Sequence, residues 1–464
     1  TSQVKNMSHM FYKNLHLFSL DISTINTDNV LDMSHMFDSC ESLYNIELPN
    51  FNTNKVMNMS GMFKGCVAIT LLNISTFNTE NVIDMSHMFE NCDSIRDMNL
   101  SNFNTDKVLY MNSMFKGCIN LMDIDISSFR TNSVIDMSHM FNGLNLIKSL
   151  DISHFDTSKV QNMSSMFYYC NSLEKLDLSN FETKEVLDMS FMFQYCRSIT
   201  DLNIKNFHTE KVINMAGMFG FCLSITNIPI ENFNTSNVKN MSGLFEDCSV
   251  VTNFDISNFN TKNVIDMSKM FQDCSSAVAL DVSHFETDNV INTSEMFSGC
   301  SKVVSLDLSN FKTNKVTNMS CMFHQMNSLS SADFSKFDTT EVKDMSRMFQ
   351  FCRSLTSIDV SNFVTINVVN MMSMFEECLS VNVLNLKKFE TFQVTNFAKM
   401  FSYVVKVAYL DVSKFNTAKA KDMNSMFLQC NSLTSIDVSG FDTSLVTNME
   451  YMFSHTRISS LDLN

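Results

Sequence analysis

Three residue types in this chain recur at spacings that could do chemistry. Fourteen cysteines are present, and thirteen of them, from Cys40 and Cys66 to Cys378 and Cys430, fall at multiples of one interval. Thiolates in that number suggest zinc or disulfides, and each needs a particular geometry. A metal cluster requires ligands converging from different directions. Side chains stacked in register point the same way about 4.8 Å apart, beyond the usual Cβ separation of a disulfide. Leu144, Met326 and Val404 stand in the same position where cysteine is missing, so the column reads as small apolar packing. Cys321 falls outside it, is expected to be exposed, and is the one cysteine suited to reaction or cross-linking. Of the ten histidines, His9, His35, His87 and His139 share an outward column, yet most of them sit two repeats apart, about 9.6 Å, too far to share one ion. No Ser-His-Asp order, Gly-rich phosphate loop or His-Glu-x-x-His occurs, so no catalytic residue, metal or cofactor is expected.

The third type is aspartate. Asp255, Asp281, Asp307, Asp333 and Asp359 recur on five consecutive repeats, each beside an apolar pair that points inward. Carboxylates about 4.8 Å apart repel by roughly 0.9 kcal/mol per pair even in water. Flanking serines, solvent, cations or a basic partner must offset that repulsion, which makes the row a candidate acidic binding face. Calcium is disfavoured, because the neighbouring serines add few strong oxygen ligands.

The element that positions these columns is a 26-residue repeat. From Phe11 to Phe453 is seventeen steps of 26 with no net insertion, hence eighteen copies. The unit reads F-x-x-C-x-S-L-x-x-L-D-L-S-x-F-x-T-x-x-V-x-[D/N]-M-S-x-M. Leu176 and Leu178 alternate with Asp177 as in a short strand. Copies side by side predict one parallel sheet. The stretch Val186 to Cys196 steps by three and four, which predicts short helical turns on the opposite wall, capped by residues such as Ser190. Eighteen coils at about 4.8 Å predict a rod of roughly 85 Å, one continuous solenoid over residues 1–464. An unbroken threonine column from Thr27 to Thr443 follows a core Phe and precedes a core Val, which places it at a corner rather than in an outward, ice-binding array. An Asp/Asn column from Asn6 onward, interrupted only by Tyr110, predicts side chains bonded to turn backbone.

Composition agrees with this reading. The chain has 464 residues, is 45% hydrophobic and 18% charged, and carries only 2 Pro and 9 Gly, too few for linkers between several domains. A formal charge of −16 argues against nucleic acid, and no apolar run of about 18 residues exists to span a membrane.

The L-x-x-L-x-L strand followed by M-F-x-x-C resembles the BspA-like branch of the leucine-rich-repeat family. It is most similar to the 26-residue repeat of bacterial and mycoplasmal surface lipoproteins, also found in protists and giant viruses. The resemblance covers nearly the whole chain. It implies a right-handed solenoid for adhesion or protein interaction at a cell or virion surface, with a protein or host-surface ligand. Partner contacts are expected where the repeat departs from its polar norm. Tyr169, Tyr195 and Phe221 occupy one turn position on three successive coils, with Tyr168 and Phe191 nearby. Val364, Ile366, Phe392, Tyr403 and Tyr409 fill positions that are otherwise charged or polar. The alternative is a fibre subunit: no polar cap precedes Val4 or follows Leu461 to Leu463, so end-to-end self-association is expected as a second mode.

Overall fold

The computed structural model describes residues 1–48 and 51–462, so Leu463 lies outside the described residues. The chain forms two compact units, Thr1–Asn234 and Thr235–Asn464. Each carries nine copies of the repeat's stacked Phe, Phe11 to Phe219 in the first and Phe245 to Phe453 in the second, preceded by Met everywhere except at Leu244. Each unit is a leucine-rich-repeat-like solenoid in which every coil bonds to the coil 26 residues away.

The interior is a set of ladders of identical side chains. The Phe rings stack with centroids 5.5–6.0 Å apart in the first unit and 5.4–6.0 Å in the second. Both Met columns, the Val column and the second Phe column are buried beside them in all but the terminal coils, where Met10 and Met449 are exposed. Unbranched Met fills the irregular space left between stacked rings. Column thiols on both units donate to the carbonyl of the Phe one coil earlier, as Cys196 Sγ does to Phe167 at 3.2 Å and Cys378 Sγ to Phe349 at 3.2 Å. The cysteines are therefore packing residues that also satisfy a buried carbonyl.

The expected single sheet is present only in pieces. In the first unit β1 (Asn45–Ile46) pairs with β2 (Leu71–Leu72), β3 (Asp97–Asn99) with β4 (Asp123–Asp125), and β5 (Lys175–Asp177) with β6 (Asp201–Asn203). In the second, β7 (Ser305–Leu306) pairs with β8 (Ser331–Ala332). All are parallel and two-stranded. The strands are short because the next Asp or Asn turns the chain: Asp177 accepts the N–H of Ser179 at 2.9 Å. The uninterrupted ladder runs instead through the Asp/Asn column, from Asn6 to Asn214 and from Asn240 to Asn448.

The opposite wall is not helical. Among the described residues no helix occurs. In the second coil, Met36, Asp38 and Cys40 donate to the carbonyls three residues back, while Met33, His35, Phe37 and Ser39 donate to the following coil at 2.7–2.9 Å. His35 and Ser39, the third residues of two such turns, have φ of 53° and 59°. A positive φ at that position is what a type II turn demands, and it ends any helical run. The wall is thus a chain of overlapping β-turns that spends every second N–H on its neighbour. The predicted cap at Ser190 is also different. Its backbone N–H donates to Asp188 Oδ1 at 2.8 Å, so the cap belongs to the Asp/Asn column.

At the corner, threonine clips consecutive coils together. Thr183 Oγ1 donates to the carbonyl of His208 at 2.8 Å and accepts the His208 N–H at 2.7 Å. The column is buried from Thr27 to Thr417, so its hydroxyls are internal fasteners.

Candidate functional site

With the threonine and thiol columns committed to the interior, the side chains free to meet a ligand lie on the strand wall, the turn wall and the corner. The strand wall places the aspartates outward. Asp281 Oδ1 accepts both the N–H and the hydroxyl of Ser283, at 3.1 and 2.6 Å. Asp255 does the same with Ser257, and Asp307, Asp333 and Asp359 take the N–H of Ser309, Ser335 and Ser361. Those serine bonds hold the carboxyls of Asp281, Asp307, Asp333 and Asp359 below the ordinary carboxylate range. Local serine dipoles therefore offset the mutual repulsion. The position does not need a charge to make its turn, since Asn73 and Asn99 take Ser75 and Ser101 in the same way.

On the turn wall the aromatic residues meet. Tyr169 and Tyr195 pack with centroids 4.4 Å apart and rings tilted by 31°, and Tyr195 and Phe221 stack at the same distance with an interplanar angle of 13°. Tyr168 lies 5.0 Å from Tyr169 and edge-on to Tyr195, and Arg197 sits over the Tyr195 ring at 5.5 Å. Phe191 stands in the other positive-φ column, on a neighbouring strip of the wall, and its ring fills the place of the side chain that Gly217 lacks. The rings are half-exposed, Phe191 more so.

The second apolar group is spread over three faces. Val364 and Ile366 flank Thr365 at the corner, with Phe392 one coil beyond Ile366. Tyr403 lies on the turn wall with φ of 57°. Tyr409 is on the strand wall, bridged to Ser435, where it and Val383 are 65% and 68% exposed and edge a shallow groove.

Two chemical details were not anticipated. Glu90 is buried yet charged: Burial alone would raise its pKa, but bonds from His87 (2.7 Å) and Lys64 (2.8 Å), with Lys116 at 3.2 Å, draw it down to about 2. Its signal in the sequence was the alternation Lys64, Glu90, Lys116 at intervals of 26. Cys321 is half-buried rather than exposed, and burial, with Glu295 nearby, pushes its thiol up to about 11. The histidine column is paired within the protein, His35 to Asp38 at 2.8 Å and His87 to Glu90. Among the described residues no three His, Cys, Asp or Glu side chains gather as a metal site. No helix among them is long and apolar enough to cross a membrane.

The repeat itself decides the family. The model of a family described as "Mycoplasma protein of unknown function, DUF285" matches in overlapping windows from residues 1–97 to residues 380–464, together spanning the chain. The chain belongs to the DUF285 family. No curated protein matches this DUF285 chain. Among solved structures it is similar to a leucine-rich cell surface protein of Faecalibacterium prausnitzii, with TM-score 0.39 and 14% identity over 71% of this chain and 83% of that one. A leucine-rich-repeat protein of Bacteroides ovatus gives TM-score 0.37 and 14% identity over 94% and 92%. An internalin of Listeria monocytogenes gives 0.21 and 10% over 89% and 85%.

Proposed function

We propose that this chain is a non-enzymatic interaction scaffold, one uninterrupted array displayed at a cell surface for adhesion, whose strand wall meets a basic partner. The observation that carries this reading is the row Asp255 to Asp359. In each of these residues one carboxylate oxygen is fixed by its own serine, leaving the other for a partner. Held below the usual carboxylate range, Asp281 to Asp359 stay charged in mildly acid surroundings. The likeness of the repeat to that of surface lipoproteins supports display, and the rings of the turn wall add contact area of the kind that anchors interfaces.

Binding of an octalysine peptide to the full chain tests the acidic face. The triple variant Asp281→Asn, Asp307→Asn, Asp333→Asn should fold normally, because asparagine already makes this turn elsewhere, and should lose the peptide. Glu41→Gln, Glu80→Gln and Glu182→Gln together change net charge equally on exposed residues away from that row and should bind as wild type. Equal affinity in both triples would show that overall charge alone attracts the peptide, and would defeat the proposal.

A further inference from the structure

Beside the corner, one place before the Asp/Asn column, lies a position whose backbone ladder has no gap in the first unit. Leu31 N–H donates to Lys5, Met57 to Leu31, Ile83 to Met57, and so on to Ile213. From Leu31 to Ile213 this position is apolar in every coil but that of Gln161. Its side chains face outward: Leu31, Met57, Leu187 and Ile213 are 39–45% exposed, and Ile83, Leu109 and Ile135 are half-buried. The fold does not require this. In the second unit the same position holds Lys239, Lys343 and Lys421, and a threonine there bonds to the coil before it, as Thr317 does to the Ile291 carbonyl at 3.2 Å. The one interruption of the Asp/Asn column also falls here, with Tyr110 beside Leu109 and 39% exposed. Together these side chains present on the order of 500 Å² of contiguous apolar surface, near the upper end for a monomer.

A row of lysines runs along the stripe, two places before it. Lys55, Lys107, Lys159 and Lys211 stand 52 residues, or two coils, apart. The coils between them carry the exposed acids Asp28, Glu80 and Glu185 at the same position or one place earlier. Each of three ammonium groups leans back toward such a coil, Lys55 to Asn29 at 2.7 Å, Lys107 to Asn81 at 2.8 Å and Lys211 to Glu185 at 2.6 Å.

This order is complementary to its own reverse. A second copy laid face to face and antiparallel keeps lysine row against lysine row while reversing the sequence of coils. With the stripes in full overlap, Leu31 opposes Ile213 of the second copy, Met57 opposes Leu187, and Leu109 and Ile135 meet across the two-fold axis. The one polar member, Gln161, opposes Ile83. Lys55 then faces Glu185, Lys159 faces Glu80 and Lys211 faces Asp28, while Lys107 faces the uncharged Ser133. A shift of one coil sets Lys55 against Lys159 and Lys107 against itself, so like charges reject that register. A parallel copy sets the lysines against the column His9 to His139, where no exposed acid stands.

We infer that this stripe is a homodimer interface, through which two chains associate side by side and antiparallel by their first units. A self-complementary strip is what a two-fold contact demands. An apolar centre with an ionic rim is the usual composition of such a contact, and with its rails the strip approaches the roughly 800 Å² per partner of a standard interface. A lipid surface would accept the apolar side chains but does not answer charges that alternate in sign. The pairing is lateral, so it is separate from contact between chain ends, and it leaves the aspartate row on the strand wall free.

Sedimentation velocity of the full chain tests it, at about 0.15 M salt, where exposed charges are screened beyond about 8 Å. The chain should pass from monomer to dimer with a Kd on the order of 10 μM. Leu109→Lys with Ile135→Lys should abolish the dimer at an unchanged melting temperature, since Lys239 and Lys343 already occupy this position. Lys159→Glu should weaken it about ten-fold through two symmetry-related ion pairs, and adding Glu80→Lys should restore it. Mild oxidation of Met57→Cys mixed with Leu187→Cys should give a covalent heterodimer, and neither variant alone should cross-link. A chain still monomeric at about 100 μM would overturn the inference. So would cross-linking of Met57→Cys with itself, which marks a parallel pair, or an open series of oligomers that survives the double lysine variant, which marks contact through the ends. If the monomer floats with phosphatidylcholine vesicles and the lysine variant does not, the stripe is a membrane face instead.

Discussion

The corner clip makes the sharpest stability prediction. Thr183→Val preserves shape and burial but deletes a hydroxyl that both donates to the His208 carbonyl and accepts the His208 N–H. Thr183 is 0% exposed, so water cannot replace it without opening the corner. Two backbone groups lose their partner together, at about 1–3 kcal/mol for each buried group left unpaired, or about 2–4 kcal/mol after local relaxation. Thr183→Ser keeps the hydroxyl and removes one methyl, at about 1 kcal/mol. Amide exchange at His208 reads the loss directly, because a coil can open without the whole array melting. Exchange should accelerate roughly 30- to 700-fold in the valine variant and far less in the serine variant. If His208 stays equally protected in Thr183→Val, or if serine costs more than valine, the clip is not what holds these coils together.

Glu90 sets a pH dependence. Its folded pKa of about 2 lies below the ordinary 4.5, so its stabilisation is complete above about 4.5 and is lost as pH falls toward 2. Urea midpoints of Glu90→Gln should be lower than wild type at pH 7 and converge with it near pH 2; parallel curves would refute the coupling. All fourteen thiols should be slow toward a disulfide reagent at pH 8. At Cys321 a rise from 9.0 to about 11 leaves about a hundredfold less thiolate than in the unfolded chain, and a fast single-thiol burst would contradict it.

The period, the corner threonines, the packed thiols and the Asp/Asn bonds to turn backbone were legible because each column needs one residue type at one place. The turn wall was misread because steps of three and four fit an α-helix and a run of overlapping β-turns equally well. A signal was present: seven of the nine glycines, among them Gly61 and Gly65, fall two places before or after the stacked Phe, where φ is positive. Helix interiors do not collect glycine in fixed columns. The sheet was over-extended because the sequence shows which residues alternate, while the Asp-Ser turn that cuts the strand to two or three residues acts through a side-chain bond. The aspartates and the aromatic stack could be listed from period alone. The stripe from Leu31 to Ile213 could not, since only the backbone ladder shows that the place before the Asp/Asn column faces outward.

The like-to-like bonding between coils has a consequence for the gene. Each coil presents the same donors and acceptors above and below, so any coil can sit on any other. Losing or duplicating one whole repeat, as recombination between near-identical copies does, returns Thr to backbone, thiol to carbonyl and ring to ring. A single-residue insertion instead shifts every ladder it enters. Length can therefore change in whole coils while the outward positions are reshuffled at each exchange, so one stable interior can carry many different surfaces.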